Sequence, residues 1–413
     1  MLRWKWVTNI GSDLRFALRG LRKSGRPLRL VSSPVSSTRP VLSTAAVACT
    51  LLLAVPPAAA QPRPLYPLPA VSTPDGVAIE QARARIQELV RVTHVPGVSV
   101  AVARDGVVIW SEGFGLADVE QGVPVTPLTR FRLGSVSKVI TAAAVARLVE
   151  TGALDLDAPI QRYVPDFPQK SWPITTRQLA SHSAGIRHYL AKDDRFPGQL
   201  AGNPHFASVT AGLAIFKEDP LLFEPGTRYA YSSYGWNVIA AVIEGASRRE
   251  FLTLVQQQVL DRLGLRAIGP DHVRAIVPNR TRFYARDEQG RLLNAPYIDS
   301  SYKWAGGGFL GNAEDLVRFG SAHLQSGFLR HETLDQLFTP RMPIGGGTSV
   351  GIGWRIGRDA EGRRVAHHGG TIDGGRALLV LFPDSKVVVA ILTNALVEVR
   401  EADAQRLGAL FIR

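Results

Sequence analysis

The 413-residue sequence predicts a mixed α/β fold of the α+β kind: one antiparallel sheet built from both chain ends, flanked by helices, with a helical region inserted between them. Three observations carry this expectation. Two extended runs separated by a turn signal stand at 97–115, four further strand candidates stand at 351–394, and residues 135–300 read mainly as helices and long loops.

Residues 1–60 read as a basic leader with a signal peptide. The first forty residues hold nine Lys or Arg and one Asp, a net of +8 out of the chain's +13, which leaves +5 for the rest. The basic excess therefore belongs to the leader and does not mark a nucleic-acid surface. An apolar run over 41–55 falls short of the ~20 residues that a membrane-spanning helix needs. Pro56 and Pro57 break it, and Ala58, Ala59 and Ala60 form a small-residue cleavage site before Gln61. Export to the periplasm or the extracellular space follows, with membrane attachment only through an uncleaved leader. Cys49, the single cysteine, lies inside the apolar run, so the processed chain would hold no disulfide.

Residues 61–77 read as a Pro-rich linker, and 78–413 as the folded domain. Ile79, Ala82, Ile86 and Val90 recur at helical spacing. GVSVAVAR and VVIWSEGFG, joined by Asp105-Gly106, predict a β-hairpin. Near the other end GIGWRIG, RRVAHHGG, RALLVLF and VVVAILTN read as strands, the last two joined by the turn Pro383-Asp384-Ser385, and residues 397–410 read as a closing amphipathic helix. Strands from both termini then complete one sheet.

Chemistry enters at FRLGSVSKVITAAAVARLVE, residues 131–150, where a helix opens with Ser135 and Lys138 and then turns almost wholly apolar. Positions i and i+3 share a helix face, so the two side chains can meet at the end that carries partial positive charge. A serine hydroxyl needs a nearby base, and lysine serves only when its pKa falls from about 10.4 to around 7 or 8. Desolvation in a closed site can do this. The apolar helix is then the buried platform for the pair.

Taken alone, the spacing reads with somewhat more weight as an ordinary helix cap with a solvated lysine. Ser300 and Lys303 in SSYKWAGGG fit the same S-x-x-K pattern, but three glycines close behind predict no helix to hold them on one face. Two other segments favour Ser135. Tyr231-Ser232-Ser233 precedes a second apolar helix, and His367-His368-Gly369-Gly370 ends a strand. A tyrosine beside a cation can relay protons, and a glycine-bearing strand edge lets backbone N–H groups approach a carbonyl.

With these residues in this order the chain resembles the serine β-lactamase and penicillin-binding-protein family, in its class C-like branch, from about residue 78 to 413. ITTRQLASHSAGI, PGTRYAYSS, GGGFLGNAEDLVRFG and the His-His-Gly-Gly strand extend the likeness. SAGIRHY followed by YKWAGGGFL is similar more narrowly to the mitochondrial β-lactamase-like serine peptidases and their bacterial relatives. The resemblance implies a β-lactamase/transpeptidase-like fold with Ser135 as the acylated nucleophile and Lys138 as its base partner. It implies that Tyr231 shares the proton, that the backbone N–H groups of Ser135 and Gly370 form the oxyanion hole, and that Ser233, His367, His368 and Gly369 contact substrate. Two departures stand out. Ser233 replaces the asparagine of a Tyr-x-Asn element, and His367 replaces the lysine of a Lys-Thr-Gly element with a group largely neutral at pH 7.

Both departures turn the expectation from β-lactam antibiotics toward peptide or ester bonds, cleaved through an acyl-enzyme. The alternatives are a β-lactamase or D-alanyl-D-alanine carboxypeptidase, and a non-catalytic module that binds peptide or peptidoglycan. The intact Ser135, Lys138 and Tyr231 speak against the last. His182 and His188, six apart with no acidic residue close by, make a poor zinc pattern, so no metal or cofactor is expected; His182 reads better as a buried hydrogen-bonding residue. Arg187 reads equally as a carboxylate binder or a solvated cation. Tyr302 and Trp304 read as cleft residues or, with more weight, as aromatics packed at a tight turn. The expected partner is a peptide or small-molecule substrate, not nucleic acid, and oligomeric state is left open.

Overall fold

The computed structural model describes residues 74–190 and 205–413. The basic leader, its cleavage site and Cys49 lie outside the described residues, as does most of the linker.

Among the described residues a nine-stranded antiparallel sheet forms the centre. Its strands are β1 (Gly97–Arg104), β2 (Val107–Asp118), β3 (Val123–Pro124), β4 (Met342–Gly345), β5 (Thr348–Val350), β6 (Arg355–Arg358), β7 (Arg364–Ile372), β8 (Gly375–Phe382) and β9 (Val387–Thr393). The spatial order is β3-β2-β1-β9-β8-β7-β6-β5-β4. The expected junction of the two chain ends is the β1–β9 pair, in register from Val98 opposite Thr393 to Arg104 opposite Val387.

Helices cover both faces of this sheet. Helix α1 (Pro74–Thr93) and the closing helix α5 (Glu401–Ala409) pack on one face; α2 (Ser137–Glu150), α3 (Ser233–Ser247) and α4 (Ala313–Ala322) pack on the other. Side-chain alternation allots residues to the two cores. Val98, Val100, Val102, Leu378, Val380, Val387 and Val389 face α1 and α5, whereas Ala101, Ala103, Leu379, Leu381, Val388 and Ala390 face α2 to α4. Burial on both faces explains the nearly continuous apolar runs of β8 and β9.

Several boundaries differ from expectation. Helix α1 begins at Pro74, inside the expected linker, because proline suits a first helical position and Asp75 suits the positive helix end. Strand β6 begins only at Arg355, since the Gly351 N–H bonds to the Trp354 carbonyl at 2.8 Å and closes a turn over the expected first half. Strands β4 and β5 were not foreseen. Helix α5 begins at Glu401, where the Arg400 N–H donates to Asp403 Oδ2 at 2.8 Å and so closes the helix start. A short helix, Trp304–Gly307, follows Lys303 where glycines predicted none.

Candidate active site

Ser135 does not sit in the helix proper, as the sequence suggested, but on a 3-10 turn, Gly134–Val136, that runs directly into α2. Gly134 enters the turn at φ +48°, and a Cβ there would lie 3.0 Å from the Thr371 nitrogen. Conformation and space both require glycine. From Ser137 to Ala146 every residue of α2 is buried, so the platform expected beneath the pair is present.

Three segments converge on Ser135. Lys138 Nζ donates to Ser135 Oγ at 3.1 Å, and the Tyr231 hydroxyl donates to the same oxygen at 2.7 Å. Lys138 Nζ also donates to Ser233 Oγ at 3.0 Å and to the Gly306 carbonyl at 2.6 Å. Ser233, expected to contact substrate, thus holds the lysine. Two further bonds secure the Gly306 segment to α2: Thr141 Oγ1 donates to the Ala305 carbonyl at 2.9 Å, and the Phe309 N–H donates to Ser137 Oγ at 3.2 Å.

The electrostatics of the pair follow from burial. Lys138 is fully buried, and desolvation lowers its pKa against the opposing pull of Tyr231. Burial raises the Tyr231 phenol, but the Lys138 charge and hydrogen bonding with Lys138, Ser135 and Ser233 outweigh it, and the net shift is downward. With the Lys138 ammonium 5.0 Å from the Tyr231 ring centroid, the two groups titrate as one unit.

The tyrosine is held by two histidines. His182 Nδ1 accepts the Ser232 N–H at 3.1 Å, and His188 Nδ1 accepts the Ser233 N–H at 3.2 Å, at the start of α3. Their rings pack on Tyr231 with centroids 4.4 and 5.3 Å away. Accepting at Nδ1 requires neutral imidazoles, and burial pushes His182 well below its ordinary pKa and His188 down to about 4. The buried hydrogen bond expected of His182 is present. Arg187 is neither solvated nor open to ligand: it is buried and donates to Asp219 at 2.6 Å.

The second S-x-x-K pair behaves differently despite its helical turn. Among the described residues Ser300 Oγ is buried without a hydrogen-bond partner, so Lys303 does not meet it. Tyr302 and Trp304 are buried, as the packing alternative expected.

A cavity of about 580 Å³ opens at Ser135, and Tyr231, Ser233, Gly369, Lys303 and Arg355 are among its walls. Gly370 lies against the nucleophile turn: a Cβ there would overlap the Leu133 carbonyl oxygen and lie 3.0 Å from the Ser135 nitrogen. Strand β6 pairs with β7 only as far as His367, which leaves the β7 edge from His368 onward free of β6. His367 and His368, expected to contact substrate, are not among the described residues that line the cavity; Gly369 and Thr371 are. The physical reason is that His367 lies buried in the part of β7 that β6 still pairs, opposite Arg355, while His368 Nδ1 donates to the Gly369 carbonyl at 2.8 Å. Burial, with the Arg355 charge adding to it, lowers His367 to about 4, so it is neutral as its identity suggested.

Sequence reasoning passed over four features of this site: the Gly306 carbonyl, His188 as an acceptor, Lys303 in the cavity wall, and the carboxylate of Glu401 between Arg355 and Arg376, 3.5 Å from each. One signal was available. Lys303 is the only charged residue between Asp299 and Glu314, in a stretch otherwise fit for burial.

Fold and site geometry together define a serine hydrolase. The family model described as Beta-lactamase matches residues 82–411. The chain is 31% identical over 410 residues to the human serine beta-lactamase-like protein LACTB, mitochondrial, covering 78% of this chain and 75% of that protein. It is 29% identical to esterase EstB of Burkholderia gladioli, covering 71% of this chain and 83% of EstB. The octameric penicillin-binding protein homologue from Pyrococcus abyssi superposes with a TM-score of 0.72 at 25% identity, covering 81% of this chain and 77% of that one. The chain belongs to the beta-lactamase family.

Proposed function

We propose that the protein hydrolyses peptide or ester bonds through an acyl-enzyme on Ser135, with Lys138 and Tyr231 as a joint general base. The observation that carries this reading is the convergence of the Tyr231 hydroxyl and Lys138 Nζ on Ser135 Oγ, at 2.7 and 3.1 Å, in a site where burial favours the uncharged amine. The Ser135 oxygen attacks the carbonyl carbon while its proton passes to the Tyr231/Lys138 pair. The Ser135 and Gly370 N–H groups receive the developing oxyanion. As the bond to the leaving nitrogen or oxygen breaks, the pair returns the proton to it. Water then adds to the acyl carbon, gives its proton to the pair, and Ser135 recovers it on departure.

The neutral His367 supplies no charge at the position where the resemblance expects a lysine, which supports peptide or ester substrates over antibiotics gripped through that lysine. The names of relatives such as a D-aminopeptidase and an esterase are in keeping with this. The basic, apolar leader supports export, and N-terminal sequencing of the mature protein tests it at Gln61. For the chemistry, intact-mass measurement after a serine-directed fluorophosphonate should show one adduct that Ser135→Ala abolishes. An adduct that persists in that variant removes Ser135 from the role. Side-by-side assays with a p-nitrophenyl ester, a peptide library and a chromogenic cephalosporin separate esterase, peptidase and lactamase.

A further inference from the structure

The charges that line the catalytic cavity are largely matched. Glu401 sits 3.5 Å from both Arg355 and Arg376. Behind the wall, Asp271 is engaged by Arg132 at 2.8 Å and by Arg280 at 3.4 Å. Lys303 and Asp373 are the exceptions, since among the described residues neither takes part in an ion pair. Lys303 lines the cavity together with Ser135, is only 7% exposed, and among the described residues no carboxylate lies within ion-pair reach of its Nζ, Asp373 of the same wall included. Its Nζ rests 5.2 Å from the Tyr302 ring centroid.

The position is fixed, not adventitious. Lys303 caps the short helix Trp304–Gly307, and its carbonyl accepts the Gly306 and Gly307 N–H groups at 3.1 and 2.9 Å. The same Gly306 carbonyl holds Lys138, so Lys303 is tied through one turn of backbone to the catalytic centre. A buried ammonium without a direct ion-pair partner is costly; Asp373 and Asp271 offset part of that cost from beyond ion-pair reach, and it falls further when an anion enters the cavity beside Lys303. His367 and His368, off the cavity and neutral, supply no positive charge of their own.

We propose that Lys303 is the anion anchor of the cleft, pairing with one carboxylate of the substrate while Ser135 attacks the neighbouring acyl group. This rests on the serine-hydrolase reading above. A single ammonium matches a singly charged group, and carboxylate is the singly charged group of peptides, present as an acidic side chain or as the chain terminus. Burial lowers the Lys303 pKa to about 8, with Arg132 adding to the shift, Asp373 and Asp271 opposing it, and Lys138 adding again. The residue is thus mostly charged at pH 7 and loses its charge as the pH rises through about 8.

The test uses two matched pairs of peptide substrates: one with Asp against Asn at the acyl residue, the other with a free C-terminal carboxylate against a C-terminal amide. In the native enzyme one pair should show kcat/KM about 10- to 100-fold higher for the carboxylate member, and which pair it is identifies the source. The ratio should fall toward 1 in Lys303→Met, persist in Lys303→Arg, and decline in the native enzyme above about pH 8. A ratio near 1 for both pairs in the native enzyme, or one unchanged in Lys303→Met, overturns the proposal. Should the Met variant not fold, a ratio in the native enzyme that stays constant through pH 8 overturns it instead. Fluorophosphonate labelling separates the two levels: a native enzyme that labels on Ser135 and turns over without carboxylate preference defeats only the anchor, whereas one that fails to label defeats the serine-hydrolase reading with it.

Discussion

The Tyr231 hydroxyl lies 2.7 Å from Ser135 Oγ across 96 residues of sequence. Each group is placed at the mouth of its own buried helix, and the contact exists because α2 and α3 pack side by side on the same face of the sheet. Ser233 and Gly306 close the arrangement around Lys138.

Removing either half of the base should expose this division of labour. Tyr231→Phe keeps the ring between His182 and His188 but loses the proton relay, and kcat should fall by about 10²- to 10⁴-fold with little change in the unfolding midpoint. Lys138→Met should lose activity to a similar extent yet fold at least as stably, because it removes a fully desolvated amine. Thermal unfolding alongside kcat measurement checks both.

The pH profile follows from the directions of the two shifts. Lys138 and Tyr231 both titrate below their ordinary ranges, so the pair can serve as a base at lower pH than either group alone in water. Activity should fall on the acid side as the pair takes up a proton. In Tyr231→Phe that acid limb should move, and a limb that stays in place in kcat/KM would assign it to another group. Lys138 also carries a stability term. Its folded-state pKa is depressed, so the unfolded chain binds more protons between the two values and stability rises with pH across that window.

Buried neutral histidines predict acid lability. His323, enclosed by Phe319, Phe328, Phe338 and Trp354, and His367 on β7 are both lowered to about 4 from 6.5, chiefly by burial. The unfolded chain takes up protons first, so stability falls as pH drops from 6.5 toward 4, by on the order of 3 kcal/mol for each histidine. Urea titrations at pH 7, 5 and 4 measure this. His323→Leu should show a shallower decline than the native protein.

Gly370 separates a tight strand approach from mere loop freedom. Gly370→Ala drives a methyl into the Leu133 carbonyl beside the Ser135 nitrogen, so acylation of Ser135 by a fluorophosphonate should slow at least about 10²-fold, the scale on which one oxyanion donor acts. Gly269→Ala, where nothing lies within 4 Å of the new methyl, should label at the native rate.

His182→Ala should be costly although it touches no substrate. It leaves the buried Ser232 N–H without its acceptor, for about 1–3 kcal/mol of stability, and removes one ring that packs against Tyr231. A chemical denaturation midpoint together with kcat reports both effects.

Much of this architecture could be read from local pattern. The hairpin 97–115, strands β7 to β9 and the apolar helices after Ser135 and Tyr231 announce themselves through periodicity and turn residues, which are properties of neighbours along the chain. Ser135, Lys138 and Tyr231 were legible for the same reason, each at the head of an apolar helix. Which polar atoms would meet was not. That Ser233 would hold the lysine, that a glycine carbonyl from residue 306 would join it, and that His367 would lie buried where β6 pairs with β7 all depend on contacts between distant segments. Lys303 shows the limit most plainly. The sequence shows a cation in a stretch suited to burial, but only the packing of the 304–309 turn against α2 decides that Lys303 lines the catalytic cavity with no carboxylate of the described residues within ion-pair reach, because burial and pairing are set by what other parts of the chain bring alongside.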